Sequence, residues 1–194
     1  MVDSSGSRET TLVERDLCFI DIETTGPRFG YHEIIEVAAV RTDCNGRHIL
    51  DSWQTRLRPT HPERITEFAA RLTGFTEEAW SAAPFNTAGI WYRFASFAHG
   101  CIPVCHNPHF DRAFISLAAS AVGVNDLGVD YHWLGTQSIA WPLFRRGRLP
   151  GISLTNICEG LGLEAEPPVH SAMGGTETCR RAYLALLEAH GVTS

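Results

Sequence analysis

Two acids two residues apart close an apolar run: in DLCFIDIET, residues 16–24, Asp21 and Glu23 follow Leu17, Phe19 and Ile20. Successive side chains of an extended chain alternate between its faces, so both acids point to the side that carries Leu17 and Phe19. Two ionised carboxylates gathered at the end of a buried strand lose hydration and repel, and without compensation at least one takes up a proton. A divalent cation is the simplest compensation; a strand end already emerging into solvent is the alternative. A third acid, Asp111, stands in the first turn of a helix opened by HNPHFD, residues 106–111, beside Phe114, Ile115 and Ala118. The helix dipole favours an acid there, but capping alone does not require one on the inward face.

The elements that must position these acids follow from periodicity. Residues 16–24 are apolar on both faces, as in a central strand covered on each side. HEIIEVAAVRTD (32–43) and RHILDSWQTRLRP (47–59) continue as strands, joined by Asn45-Gly46, whose residues tolerate a tight hairpin turn. Trp53, Thr55 and Leu57 alternate with Gln54, Arg56 and Arg58, so the third strand has one wet face and lies near an edge. ERITEFAARL and NTAGIWYRFASFAHG carry helical spacing, CIPVCHN (101–107) is a short buried strand, and Pro108 opens the next helix. Phe110, Phe114, Leu117, Ala118 and Ala121 are the expected inward face of that helix. A last short strand near Asp130 to Trp133 follows, then helices over Thr136 to Phe144 and Ser153 to Leu161. A final helix carries Cys179, Ala182, Tyr183, Leu186 and Leu187 on one face. Three antiparallel strands followed by alternating helices and strands predict an α/β fold, a mixed five-stranded sheet with helices on both faces.

With 194 residues, 44% of them hydrophobic, the chain is long enough for one substantial core. The expected organisation is one domain over residues 15–190, with residues 1–14 a flexible tail and 191–194 a C-terminal end. The opening MVDSSGSRETT lacks the apolar core of a signal peptide, and no apolar run nears the ~20 residues that cross a bilayer. Six scattered cysteines read as reduced thiols of a cytoplasmic protein. Net charge is -6 and all 16 basic residues are arginine, so a nucleic acid would be held by a local arginine cluster, backbone amides or bound metal. Arg145, Arg146 and Arg148 form the densest positive run. Cys101, Cys105, His106 and His109 do not make a good zinc site, because the cysteines fall in a buried strand and behave there as small hydrophobes. Trp91, Trp133 and Trp141 are expected in the core, and His61, His99 and His190 on the surface.

DIETTG at 21–26, HNPHFD at 106–111 and His170 ahead of the last helix resemble, in order and spacing, the three sequence blocks of the DEDDh 3′-to-5′ exonucleases. This ribonuclease-H-like group includes the polymerase proofreading epsilon subunit, ribonuclease T and oligoribonuclease. EIIEVAAV after the first block and LTNICEGLGL before the third extend the resemblance over residues 15–190. It implies a two-metal phosphodiesterase in which Asp21, Glu23 and Asp111 hold two divalent ions, Mg or Mn. His170 is then the general base, since histidine, with an ordinary pKa near ~6.5, suits proton transfer at neutrality. Thr24 and Thr25 are expected to contact the terminal nucleotide, with Asn107 and the segment Leu72-Thr73-Gly74 nearby. The implied substrates are single-stranded or frayed DNA or RNA 3′ ends, and the implied partners a second copy or a polymerase.

The chain departs from this pattern at one place. The family's fourth acid stands five residues after the histidine, which here is Gly175, the vacant fourth ligand position. The apolar face traced back from Cys179 lands on Gly175, so the position points inward. Glu177 lies about 200° around the helix from it and is expected to pair with Arg181 outside. Glu164 and Glu166, in the preceding loop, are alternatives.

Overall fold

The computed structural model describes residues 11–192 and shows a five-stranded sheet with helices on both faces. The strands are β1 (Leu17–Thr24), β2 (Ile34–Thr42), β3 (Ile49–Arg56), β4 (Ile102–Cys105) and β5 (Leu134–Gly135), in the order β3-β2-β1-β4-β5. The first three are antiparallel, and β4 and β5 run parallel to β1. The helices are α1 (Glu67–Thr73), α2 (Glu77–Trp80), α3 (Ala88–Ala98), α4 (Pro108–Ser120), α5 (Thr136–Arg145), α6 (Leu154–Leu161) and α7 (Ala172–Ala189).

Period-two alternation in β1 sends its side chains to two separate cores. Cys18, Ile20 and Ile22 pack with Trp91 and Phe94 of α3 and Phe114 and Ile115 of α4. Leu17 and Phe19 pack with Cys179 and Tyr183 of α7, and the Phe19 and Tyr183 rings meet edge-on at 5.4 Å. Burying side chains of this size stabilises the fold by about 1.5–3 kcal/mol each. The α7 core therefore continues, residue by residue along one face of β1, into Asp21 and Glu23.

Four details differ from the sequence expectations. The inward face of α4 is Asp111, Phe114, Ile115 and Ala119, whereas Leu117 is 48% exposed and Ala121 is exposed. Leu117 lies about 200° around the helix from Ile115, and it is the Asp111-Ile115-Ala119 row, four residues apart, that faces the sheet. Trp141 is 50% exposed, because the neighbouring Ala140 together with Leu143 takes the buried side of α5. The last strand is only Leu134–Gly135. Asp130 instead ties the preceding segment to the sheet, its amide donating to the Cys101 carbonyl at 2.9 Å and its carboxylate pairing with Arg15 and His132.

Of the expected tail, residues 1–10 lie outside the described residues, and Leu12–Glu14 form a short 3-10 turn. No helix among the described residues is long and apolar enough to cross a membrane. Cys101 and Cys105 are buried, and the half-buried His106 bonds the Thr136 hydroxyl at 2.9 Å.

Candidate active site

The acidic end of β1 is built by the loop that follows it. The Thr25 amide donates to the Glu33 carbonyl at 2.8 Å, the Thr25 hydroxyl accepts from the Glu33 amide at 2.9 Å, and the Thr25 carbonyl accepts from the Thr66 amide at 2.9 Å. Thr25 is thus fully buried and spends its polar groups on the loop, while the Thr24 hydroxyl donates to the Gly26 carbonyl at 3.0 Å. Gly26 is bare because the His32 ring packs onto it: a Cβ there would stand 2.6 Å from His32 Cε1. The loop fixes the direction in which β1 presents its acids.

Glu23 is 7% and Asp111 4% exposed, and neither carboxylate accepts a hydrogen bond from another residue among those described. Burial, followed by the charges of Glu166, Glu36 and Asp111, pushes the Glu23 carboxyl up to about 8. Burial pushes Asp111 up to about 7, and burial together with Asp111, Glu23 and Glu166 pushes Asp21 well above the carboxylate range. These groups feel one another, so Asp21, Glu23, Asp111 and Glu166 form one electrostatic cluster. In the positions they occupy, no three His, Cys, Asp or Glu side chains among the described residues converge closely enough to share an ion. The donor set still fits a hard divalent cation: it is all carboxylate, and Glu23 and Asp111 are buried without a compensating partner.

Beside the acids lies an apolar cavity of about 240 Å³, lined by Glu23, Thr24, Phe68, Leu72 and Phe110 among others. Phe68, on the exposed side of α1, and Phe110 belong to this wall; Phe110 was expected on the inward face of its helix and Phe68 was not singled out, because an aromatic at helical spacing reads as core. A cavity of about 260 Å³ on the far side of the loop, lined by Tyr31, Arg58, His61 and Arg64, contains none of the three acids. Asn107 precedes α4 without capping it through its side chain.

His170 enters between α1 and α7. Its amide donates to the Leu72 carbonyl at 2.7 Å, Ser171 caps α7 by accepting from the Gly174 amide at 3.2 Å, and Glu36 Oε2 accepts the Ala172 amide at 3.1 Å. Glu36 was missed in the sequence, since nothing local marks a strand glutamate as the partner of a distant helix end. His170 Nδ1 lies 3.7 Å from Glu166 Oε2.

Gly175 is buried and inward as expected, but its space is not empty. A Cβ there would stand 2.7 Å from Asp21 Cγ, so the Asp21 carboxyl lies across the bare helix backbone. Glu177 is exposed and forms no ion pair with Arg181. Arg181 reaches back instead, donating to the Thr178 hydroxyl at 2.9 Å and the Glu164 carbonyl at 3.3 Å. The guanidinium thereby anchors the loop that carries Glu166.

The sequence profile of the exonuclease family (RNase T) matches residues 18–183. The DNA polymerase III subunit epsilon-like protein of Rhodobacter capsulatus is 33% identical over 98% of this chain and 27% of its own length. A PolC-type DNA polymerase III of Caldanaerobacter subterraneus is 35% identical over 62% of this chain and 8% of its own. The chain thus spans about a quarter or less of these relatives. Among solved structures, the nuclease domain of 3′hExo, a DEDDh family member bound to rAMP, superposes with a TM-score of 0.72 at 19% identity, covering 93% of this chain and 96% of that one. Exonuclease I gives 0.73 at 17% identity over 90% and 41%. The fold is that of the ribonuclease-H-like DEDDh exonuclease domains, and the chain belongs to the exonuclease family.

Proposed function

We propose that the chain is a metal-dependent 3′-to-5′ exonuclease that hydrolyses phosphodiester bonds at single-stranded or frayed DNA or RNA ends by a two-metal mechanism. The observation that carries it is the pair of buried, uncompensated carboxylates Glu23 and Asp111, which share one electrostatic cluster with Asp21, Glu23 also lining an apolar cavity. Asp21, Glu23 and Asp111 would hold two divalent ions, Mg or Mn. When bound, such ions activate a water and neutralise charge on the scissile phosphate and the leaving 3′ oxygen.

The chain's own residues do the rest. His170, its side chain 31% exposed, takes the proton of the attacking water, with Glu166 facing its Nδ1 at 3.7 Å. Phe68, Leu72 and Phe110 offer an apolar seat for the terminal base, with Thr24 also lining it, and Asn107, at the start of α4, is a further substrate contact in this reading. With a net charge of -6, affinity for the strand comes from the site rather than from the overall field. The free cysteines agree with a reducing, cytoplasmic setting. A polymerase is the partner that the names of the relatives suggest, and a second copy of the chain is the alternative.

The test is release of mononucleotides from a labelled oligonucleotide in Mg or Mn. Turnover supports the proposal, and its absence in millimolar Mn counts against it. A second reading, a catalytically degenerate relative that binds ends or serves as an assembly subunit, is favoured by Gly175 alone. Oligonucleotide binding without cleavage would select it.

A further inference from the structure

The bare pair Gly174-Gly175 forms a ledge on the first turn of α7, and two acids from elsewhere lie against it. Asp21 of β1 covers Gly175, and Glu166 Oε1 lies 3.6 Å from where a Gly174 Cβ would stand. Glu166 comes from the loop between α6 and α7, which is held at one end by Arg181 on the Glu164 carbonyl and at the other by His170 on the Leu72 carbonyl. Its side chain is 13% exposed, yet Oε1 is shielded from solvent and accepts no hydrogen bond. A carboxylate oxygen stripped of water costs several kcal/mol unless a cation or donor faces it. No donor does. Asp111, more than nine-tenths buried and likewise without a partner, faces the same cluster from α4.

We propose that Glu166 supplies the fourth carboxylate of the ion site, replacing the side chain absent at Gly175. The inference rests on the metal-dependent function proposed above. Sequence position separates the two: the fourth acid has moved from the helix after His170 to the loop before it, and glycines at 174 and 175 leave room for it. Its second oxygen, Oε2, remains on the His170 side, so one residue joins the ion site to the base.

The test is Mn binding to the full chain, read by electron paramagnetic resonance and calorimetry, for the wild type, Glu166→Gln, Glu166→Asp and the exposed control Glu177→Gln. The Gln variant keeps the shape and removes charge repulsion, so it folds. The expected result is Mn affinity lowered ~10-fold or more in Glu166→Gln, partly recovered in Glu166→Asp, and unchanged in Glu177→Gln. Wild-type affinity in Glu166→Gln with only kcat reduced would overturn the proposal, because Glu166 would then merely orient His170. If the wild type binds no Mn while Asp111→Asn behaves identically, the metal-dependent function itself fails and this inference with it.

Discussion

Glu23 and Glu36 stand directly opposite each other in the β1–β2 ladder, on one face, and are almost equally buried at 7% and 9% exposed. Their surroundings differ completely. Glu36 accepts from Arg56 Nε at 2.8 Å through one oxygen and from the Ala172 amide at 3.1 Å through the other, so it staples α7 to the sheet. Glu23 accepts no hydrogen bond among the described residues and is pushed up to about 8. Burial alone does not separate a structural acid from a functional one; the presence or absence of donors does. On one ladder rung the fold completes one carboxylate and leaves the next for something it does not itself provide.

The comparison can be broken most sharply by removing the two charges in turn. Glu23→Gln is expected to reduce nuclease activity roughly 100-fold or more, the several kcal/mol of a lost ligand to the ion, while the metal-free protein melts at least as high as the wild type. Glu36→Ala is expected to do the reverse in stability. It strands Arg56 and the Ala172 amide, lowering stability by about 2–3 kcal/mol in urea titration, with His170 displaced as a consequence. If both variants lost stability equally, the distinction between the two glutamates would be wrong.

The same contrast has a pH signature. Glu23 and Asp111 hold protons in the folded chain up to about 8 and about 7, above their unfolded range. Between about pH 5 and 8 the folded chain therefore binds more protons than the unfolded one, and stability falls as pH rises. The metal-free protein should melt roughly 5 °C lower at pH 8.5 than at pH 5.5, and millimolar Mn should remove most of that loss. Differential scanning calorimetry with and without a chelator reads both. A flat profile would mean that the acids are solvated rather than desolvated.

The smallest effect is expected at the ledge. Gly175→Ala gains about 1 kcal/mol of helix propensity, but its Cβ meets the Asp21 carboxyl and forces that side chain to turn. Net stability should change by less than about 1 kcal/mol, whereas Mn affinity should move measurably. Unchanged affinity would show that the position of Asp21 over Gly175 has no bearing on the site.

Much of this architecture was legible in the sequence. Alternation in β1 placed Asp21 and Glu23 on one face, and the apolar row of α7 traced back to an inward Gly175. The Asn45-Gly46 turn fixed the β2–β3 hairpin. Each of these is a local rule, in which periodicity names a face. What it cannot name is the partner across that face. Glu36 looked like one more strand acid, Glu166 like one of two equivalent loop acids, and Arg181 like the i+4 partner of Glu177. Their roles are set by α7 docking on the sheet and by a loop whose path is held from both ends. Leu117 shows the same limit within a helix, since a wide apolar stripe allows two neighbouring faces and the Asp111-Ile115-Ala119 row decides between them.

The most direct measurement is shortening of a 5′-labelled single-stranded oligonucleotide by the full chain, followed on a denaturing gel with Mn, with a chelator, and with Asp111→Asn. Stepwise loss of single nucleotides from the 3′ end, abolished by the chelator and by the substitution, is the expected result. No shortening in millimolar Mn, or shortening that survives the chelator, would contradict the assignment of Asp21, Glu23 and Asp111 as the ion-binding centre of an exonuclease.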